Sequence, residues 1–353
     1  MNRRRWAATT LAVLFVLIAG VAAFRFSGQT FHWAEFFEGF RHLDLGWAVT
    51  SVILNLLTYF ARIFRWQIMI KPVRRDASFW NIASATAIGF TAVVFFGRPG
   101  EFVRPWLIAR SEKVSFSSQA AAWFLERVFD LLSVVLLFGW ALSGTNAGTR
   151  YGDRVQQLLQ AGGWLALTAG VACIVFLTFS GMYAGQARRL CDYLSGFLPA
   201  RLAKMARASL DSFLAGLSST SSWRDLVPIL LWTVVEWSLV CGGMYSLFQA
   251  FGPTNGFTWN NTLVYTGFVA FGSIIQLPGI GGGLQVASVF ILTELFGLAL
   301  EPASACTLLV WGTSWLSIMP FGIACAFLQG LRWGTLRNVA PLETETPTTT
   351  QLP

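Results

Sequence analysis

The chain has 353 residues, 55% hydrophobic and 12% charged, where soluble domains are roughly a quarter charged, so the composition is that of an integral membrane protein. A formal net charge of +8 does not point to nucleic acid, because the basic residues lie between apolar runs and form no separable domain. Five cysteines without a CxxC pair and two histidines, His32 and His42, argue against a disulfide framework and a structural zinc site, and no metal or cofactor is expected.

In chain order, Arg3, Arg4 and Arg5 precede an apolar run over 6–24. The charge order resembles a signal peptide, but at about 1.5 Å per residue the run is long enough to span, and it is read as a retained anchor. Apolar windows able to cross about 30 Å of hydrocarbon follow at 45–64, 118–142, 162–181, 226–251 and 303–328, which with the first gives six transmembrane helices. Two further apolar stretches, 79–108 and 258–300, are broken in the middle. Gly97-Arg98-Pro99-Gly100 interrupts the first and Leu277-Pro278-Gly279-Ile280-Gly281-Gly282-Gly283 the second. Irregular backbone is tolerated at membrane depth only where it is buried in protein or lines a wet cavity, so both read as re-entrant helical hairpins.

The expected fold is therefore an all-α polytopic membrane protein with six transmembrane helices plus two re-entrant hairpins arranged as an inverted repeat. An anchor and outer loop occupy 1–44, a first span–hairpin–span unit 45–142, and a connecting span with a cytoplasmic amphipathic segment 143–225. A second, oppositely directed unit takes 226–329, and a disordered cytoplasmic tail 330–353. Paired Gly/Pro interruptions in two such halves mark a transport site between them. Most of the 25 basic residues fall on one side of this topology, and Arg25, Arg41, Arg150 and Arg154 are left on the other. The positive-inside rule then places both termini in the cytoplasm.

The charged residues inside the apolar stretches carry the functional reading. A charge at mid-bilayer costs roughly 2.5–3.5 kcal/mol on insertion scales, so such groups pair, face a cavity or meet a polar ligand. Arg98, Glu101 and Arg104 lie at the first break, and Glu126, Arg127 and Asp130 follow on the next helix. Glu126 and Asp130 are one turn apart, and Arg127 is three residues before Asp130, close enough for an intrahelical ion pair. The expected arrangement sets Glu126 against Arg98 or Arg104 and Arg127 against Asp130 or Glu101. These six charges sum to zero, so any surplus for an anion comes from Arg62, Arg65 and Arg110. Arginine suits phosphate because its planar fork donates paired hydrogen bonds and stays protonated. The competing readings are an ordinary loop at 97–105, a purely structural lock between hairpin and helix, and interfacial snorkelling for Arg62 and Arg65 beside Trp66.

At the second break Pro278, Gly279, Gly281 and Gly282 expose backbone that a lipid phosphate or a neighbouring helix could approach, and Gln285 follows. Glu236 is a lone acid deep in the fifth span and a candidate proton relay; Glu294 is the alternative. No GxSxG, HExxH, P-loop or DxD-like pattern is present, so no enzyme activity is expected.

The segment from Gly97 to Pro105, then Leu125-Glu126-Arg127-Val128-Phe129-Asp130, then Leu277-Pro278-Gly279-Ile280-Gly281-Gly282, with Asn55, Tyr59, Arg62, Arg65 and Trp66 upstream, resembles the flippase-like membrane region of lysylphosphatidylglycerol synthases and its stand-alone relatives. The resemblance runs from about residue 40 to 330. It implies movement of a lipid between leaflets, such as an aminoacylated phosphatidylglycerol, and relatives are linked to polyprenyl-phosphate or hopanoid pathways. Synthesis belongs in that family to a separate soluble domain, for which this chain has no residues left over, so transport is expected. One departure is Gln285, where the family often carries a glutamate. The reading is a flippase of the bacterial inner membrane for a lipid with an anionic, phosphate-bearing or aminoacylated headgroup. The alternative is a non-transporting partner that binds lipid and delivers it to a glycosyltransferase or lipid-modifying enzyme.

Overall fold

The computed structural model describes residues 31–143, 223–273 and 282–330, with positions 161, 163, 164 and 168 between the first two segments. The anchor expected at 6–24, most of the span at 162–181, the amphipathic stretch up to residue 222 and the tail beyond residue 330 lie outside the described residues. Every regular element among the described residues is a helix.

Helix α1, Trp33–Arg41, stands where an outer loop was expected. Phe36 and Phe40 pack on the apolar core of the second unit while Trp33 and Phe37 stay exposed, so α1 is amphipathic at short range. Its entry is fixed by the His32 backbone N–H, which donates to the Glu301 carboxylate at 3.0 Å.

Asp44 caps α2, Leu45–Ile70, by accepting from the backbone of Gly46 at 2.8 Å and Trp47 at 3.2 Å. The cap satisfies amides that have no intrahelical acceptor. Helix α2 runs antiparallel to α6, Trp223–Ala250. Near one end of this seam the Ser51 hydroxyl donates to the Gly243 carbonyl at 2.8 Å, and near the other Phe64 stacks on Trp232 at 4.8 Å.

Between them in sequence, α3, Phe79–Phe96, ends at Gly97, whose φ of 65° favours a residue without a Cβ. A 3-10 turn over Arg98–Phe102 reverses the chain, and α4, Val103–Glu112, runs back along α3. The return is complete, because the Glu112 carboxylate accepts from the Ser78 backbone at 3.1 Å and from the Asn81 amide at 2.7 Å. Residues 79–112 thus form an antiparallel hairpin. Its first arm has 18 residues, long and apolar enough to cross a membrane by itself, which is more than a half-depth arm needs. Helix α5, Phe116–Ser143, then occupies the expected third position.

The second hairpin pairs α7, Trp259–Gly272, with α8, Gly283–Phe290, across a connection at 274–281 that lies outside the described residues. The Tyr265 hydroxyl meets the Ser288 hydroxyl at 2.5 Å between the two arms. A π-helical turn, Ile291–Leu295, closes it. The final apolar stretch, Leu300–Leu328, is interrupted: α9, Leu300–Trp311, passes through a π turn at Gly312–Leu316 into α10, Met319–Leu328. Such turns leave backbone acceptors free, and here the Tyr59 hydroxyl of α2 donates to the Ser314 carbonyl at 3.0 Å.

By length and apolarity, 45–70, 79–96, 226–250 and 300–328 are candidate membrane spans. The expected span at 118–142 is helical, but Glu126, Arg127 and Asp130 interrupt its apolar run.

Candidate functional site

Four helices deliver charge to one buried point. From α2 come Arg62 and Arg65, from α4 Arg104, from α5 Glu126, Arg127 and Asp130, and from α6 Glu236. Arg62 and Arg65 are three apart, hence on one helical face, and that face is turned inward by the long seam with α6. Arg104 reaches the same point because the hairpin brings α4 against α3. A Cβ built on Gly89 would lie 2.6 Å from the Cβ of Arg104, so only a glycine there allows so close an approach.

Arg65 is fully buried, with 0% of its surface exposed. Its guanidinium donates to Glu126 at 2.8 Å, to Asp130 at 2.9 Å and to the Thr233 hydroxyl at 3.1 Å, and it lies 3.1 Å from Glu236. Arg104 donates to both Glu126 oxygens at 3.0 and 3.1 Å and to the Arg62 carbonyl at 3.2 Å. The Arg104 guanidinium also lies 4.2 Å from the centroid of the Trp66 ring, a cation–π contact that is strongest where water is excluded. The Trp66 indole is held by donating to Gln119 at 3.0 Å. Arg62 pairs with Glu236 at 2.7 Å and stands 3.8 Å from Asp130 and 3.9 Å from Glu126. Arg127 pairs with Asp130 at 3.0 Å along its own helix.

Four guanidinium groups face three carboxylates, a formal surplus of one positive charge. Arg62 Nη1 and the Nε atoms of Arg65, Arg104 and Arg127 are buried without a hydrogen-bond partner. Burying an ion is expensive unless it is paired and its remaining donors are used. The arrangement is therefore well paired in charge, and four of its guanidinium nitrogens remain without an acceptor.

Two of the expected pairings occur, Glu126 with Arg104 and Arg127 with Asp130. The reading of Arg62 and Arg65 as interfacial anchors does not hold, because both side chains point into the cluster. Arg110 does not join it; its guanidinium stands 5.5 Å from the Trp106 ring on an exposed surface. Arg98 and Glu101 pair with each other at the hairpin tip, and Arg98 also donates to the Ser273 carbonyl at 3.0 Å. Since Ser273 ends α7, this bond joins the tips of the two hairpins. Glu236, expected as a lone acid, is the α6 contribution to the cluster, whereas Glu294 sits in the π turn that closes the second hairpin.

Of the residues expected at the second break, Gly282 is buried in extended backbone and Gln285 is half-buried on α8. Pro278, Gly279 and Gly281 lie outside the described residues. Sequence reasoning missed Thr233, Trp66 as a guanidinium platform, and Phe90, whose ring centroid is 5.0 Å from the Arg62 guanidinium.

The family model described as "Lysylphosphatidylglycerol synthase TM region" matches residues 7–322 of this chain. No curated protein and no solved structure matches it.

Proposed function

The chain belongs to the lysylphosphatidylglycerol synthase TM region family, a membrane domain linked to lipid handling, and from that premise we propose that it is a flippase. It moves a lipid with a phosphate-bearing or aminoacylated headgroup between the leaflets of a bacterial inner membrane, with both termini cytoplasmic. In this reading the two hairpins are re-entrant and belong to two inverted units. The headgroup enters at the seam between them, while the hydrophobic chains stay in lipid.

The observation that carries the reading is the buried cluster itself, with its surplus guanidinium and its unused Arg62, Arg65, Arg104 and Arg127 donors. Arginine presents paired donors to phosphate and remains charged after desolvation, so an anionic headgroup gains at this site what it loses on leaving water. The proposal contains no bond-making chemistry and no cofactor; energy comes from a gradient or from mass action, with Glu236 as the carboxylate placed to carry a proton.

The test is leaflet exchange of a fluorescent phosphatidylglycerol in proteoliposomes. Wild-type protein accelerates exchange, and Arg62→Gln abolishes it while leaving a monodisperse, cooperatively unfolding protein. Undiminished exchange in Arg62→Gln removes the cluster from transport. A second reading is favoured by one observation, that each cluster arginine already has a carboxylate partner. On that reading the protein is a rigid lipid-binding partner that delivers lipid to a glycosyltransferase or lipid-modifying enzyme, and it co-purifies with that enzyme and exchanges nothing alone.

A further inference from the structure

The start of α1 brings together three side chains that take no part in the guanidinium cluster. His32 immediately precedes the helix and Glu35 lies in its first turn; three residues apart, they share a face. Glu301 lies in the first turn of α9, 269 positions from His32 in sequence. Helix α1 is held where these residues can meet. Phe36 and Phe40 pack on the apolar core of the second unit, and a Cβ built on Gly39 would lie 2.9 Å from the Phe251 ring. One ligand atom from each of His32, Glu35 and Glu301 then falls within 4.8 Å of the other two.

Carboxylates at helix starts are common, because they complement the helix dipole. The dipole does not account for the rest of the geometry. Two carboxylates from different helices converge, and no arginine or lysine pairs with either one among the described residues, whereas each carboxylate of the buried cluster has a guanidinium partner. The His32 imidazole makes no capping bond to α1; its Nδ1 stands 3.5 Å from a Glu301 oxygen. Zinc bonds of about 2.0–2.2 Å to nitrogen and oxygen set tetrahedral ligands roughly 3.4 Å apart, so His32 and Glu301 already stand at the spacing of one tetrahedron edge. Glu301 is 7% exposed, and the His32 backbone N–H orients its carboxylate at 3.0 Å, as outer hydrogen bonds orient metal ligands. His32 and Glu35 are exposed, so an ion reaches the site from water and the Glu35 side chain is free to rotate onto it.

The geometry points to a zinc site that ties α1 to α9, with His32 Nδ1 and the Glu35 and Glu301 carboxylates as ligands and water in the fourth position. An imidazole beside two carboxylates suits zinc, whereas magnesium and calcium take oxygen ligands. Coordination through Nδ1 leaves the hydrogen on Nε2. The two carboxylates neutralise the dication, which removes the repulsion between them. Since the ligands meet only when α1 is seated on α9, the ion binds that arrangement and stabilises it by mass action. The site shares no residue with the guanidinium cluster and does not depend on the proposed transport role.

In the test, tag-free full-length protein in detergent is titrated with zinc chloride in a large excess of magnesium chloride, and bound metal is counted by native mass spectrometry. Wild type binds one zinc ion per chain, and magnesium does not displace it. His32→Ala and Glu35→Gln each weaken binding by more than the roughly tenfold to hundredfold that even an outer partner of a metal ligand is worth. Glu35→Gln alters an exposed side chain, so the fold survives it. His42→Ala removes the only other histidine of the chain and binds zinc as wild type does. Zinc also slows amide hydrogen exchange over 33–41 in wild type and leaves it unchanged in Glu35→Gln. Wild type without stoichiometric zinc overturns the site and reduces His32 and Glu301 to an ion pair. Zinc binding that survives in both His32→Ala and Glu35→Gln overturns it as well. Binding that leaves exchange over 33–41 as it was overturns the tie between α1 and α9.

Discussion

Arg62 on α2 meets Glu236 on α6 at 2.7 Å, directly across the seam between these two helices. Both oxygens of Glu236 lack a well-directed hydrogen bond even though arginines surround them, so the contact is held by charge more than by geometry. Glu236→Gln keeps the size of the side chain and raises the formal surplus of the cluster from one positive charge to two. On the proposed flippase reading, an anionic lipid is then held more tightly and released more slowly. The expected outcome is more co-purified lipid by native mass spectrometry with leaflet exchange about tenfold slower, the effect of roughly 1.4 kcal/mol on one step. Unchanged retention together with unchanged exchange would assign Glu236 to the frame alone.

Arg65 is the residue on which the frame depends most. It touches three carboxylates and a hydroxyl with none of its surface exposed. Removing one member of a buried ion pair leaves its partners charged and unsolvated, at a cost of about 3–5 kcal/mol. Arg65→Met is expected to lose that much stability and to express poorly. Arg110→Met, on an exposed ring contact outside the cluster, should change stability by about 0.5 kcal/mol or less. Thermal unfolding of both variants in one detergent checks the contrast, and similar midpoints would contradict it.

The contrast between Arg65 and Arg110 also shows where the sequence was legible. Gly97, Pro99 and Gly100 after an apolar run announce a chain reversal, and Glu126, Arg127 and Asp130 announce a polar face on a membrane helix, since local rules cover both. Arg62 and Arg65 beside Trp66 have the same local pattern as a snorkelling end. What turns them inward is α6, whose Glu236 and Thr233 lie 174 and 168 residues away in sequence. Hydropathy averages over such positions and carries no information on which distant helix will face them. Helix α1 was hidden for a related reason, because nine residues of alternating aromatic and charged character are too few for a span and read as a loop. The π turns at 291–295 and 312–316 leave no compositional mark.

The approach of α4 to α3 gives a steric prediction. A methyl group on Gly89 would sit 2.6 Å from the Arg104 Cβ and 3.1 Å from its Cα, and the latter is backbone that cannot swing aside. Gly89→Ala should push α4 outward, pull Arg104 from Glu126 and Trp66, and destabilise by about 1–3 kcal/mol, as overpacking does. Gly242→Ala is the control, since its nearest neighbour is the Leu54 Cδ1 at an ordinary 3.5 Å. Denaturation curves that place the two variants together would show that α3 and α4 separate without cost.

The tips of the two hairpins are joined by the Arg98 guanidinium, which pairs with Glu101 and donates to the Ser273 carbonyl at 3.0 Å. Its side chain is 41% exposed, so an ion pair here adds little to global stability. The consequence is local. Arg98→Ala should leave the unfolding midpoint nearly unchanged while amides at the tips, in 97–103 and 269–273, exchange hydrogen faster, because local opening draws on local contacts and not on the global free energy. Arg98→Lys keeps the charge near Glu101 but loses the planar fork that serves two acceptors at once, so protection should fall at 269–273 and persist at 97–103. If transport requires the tips to part and rejoin, leaflet exchange in Arg98→Ala falls even though the fold is intact. Exchange protection that drops uniformly over the whole chain would instead make Arg98 a general stabilising residue and remove the tip contact from any gating role.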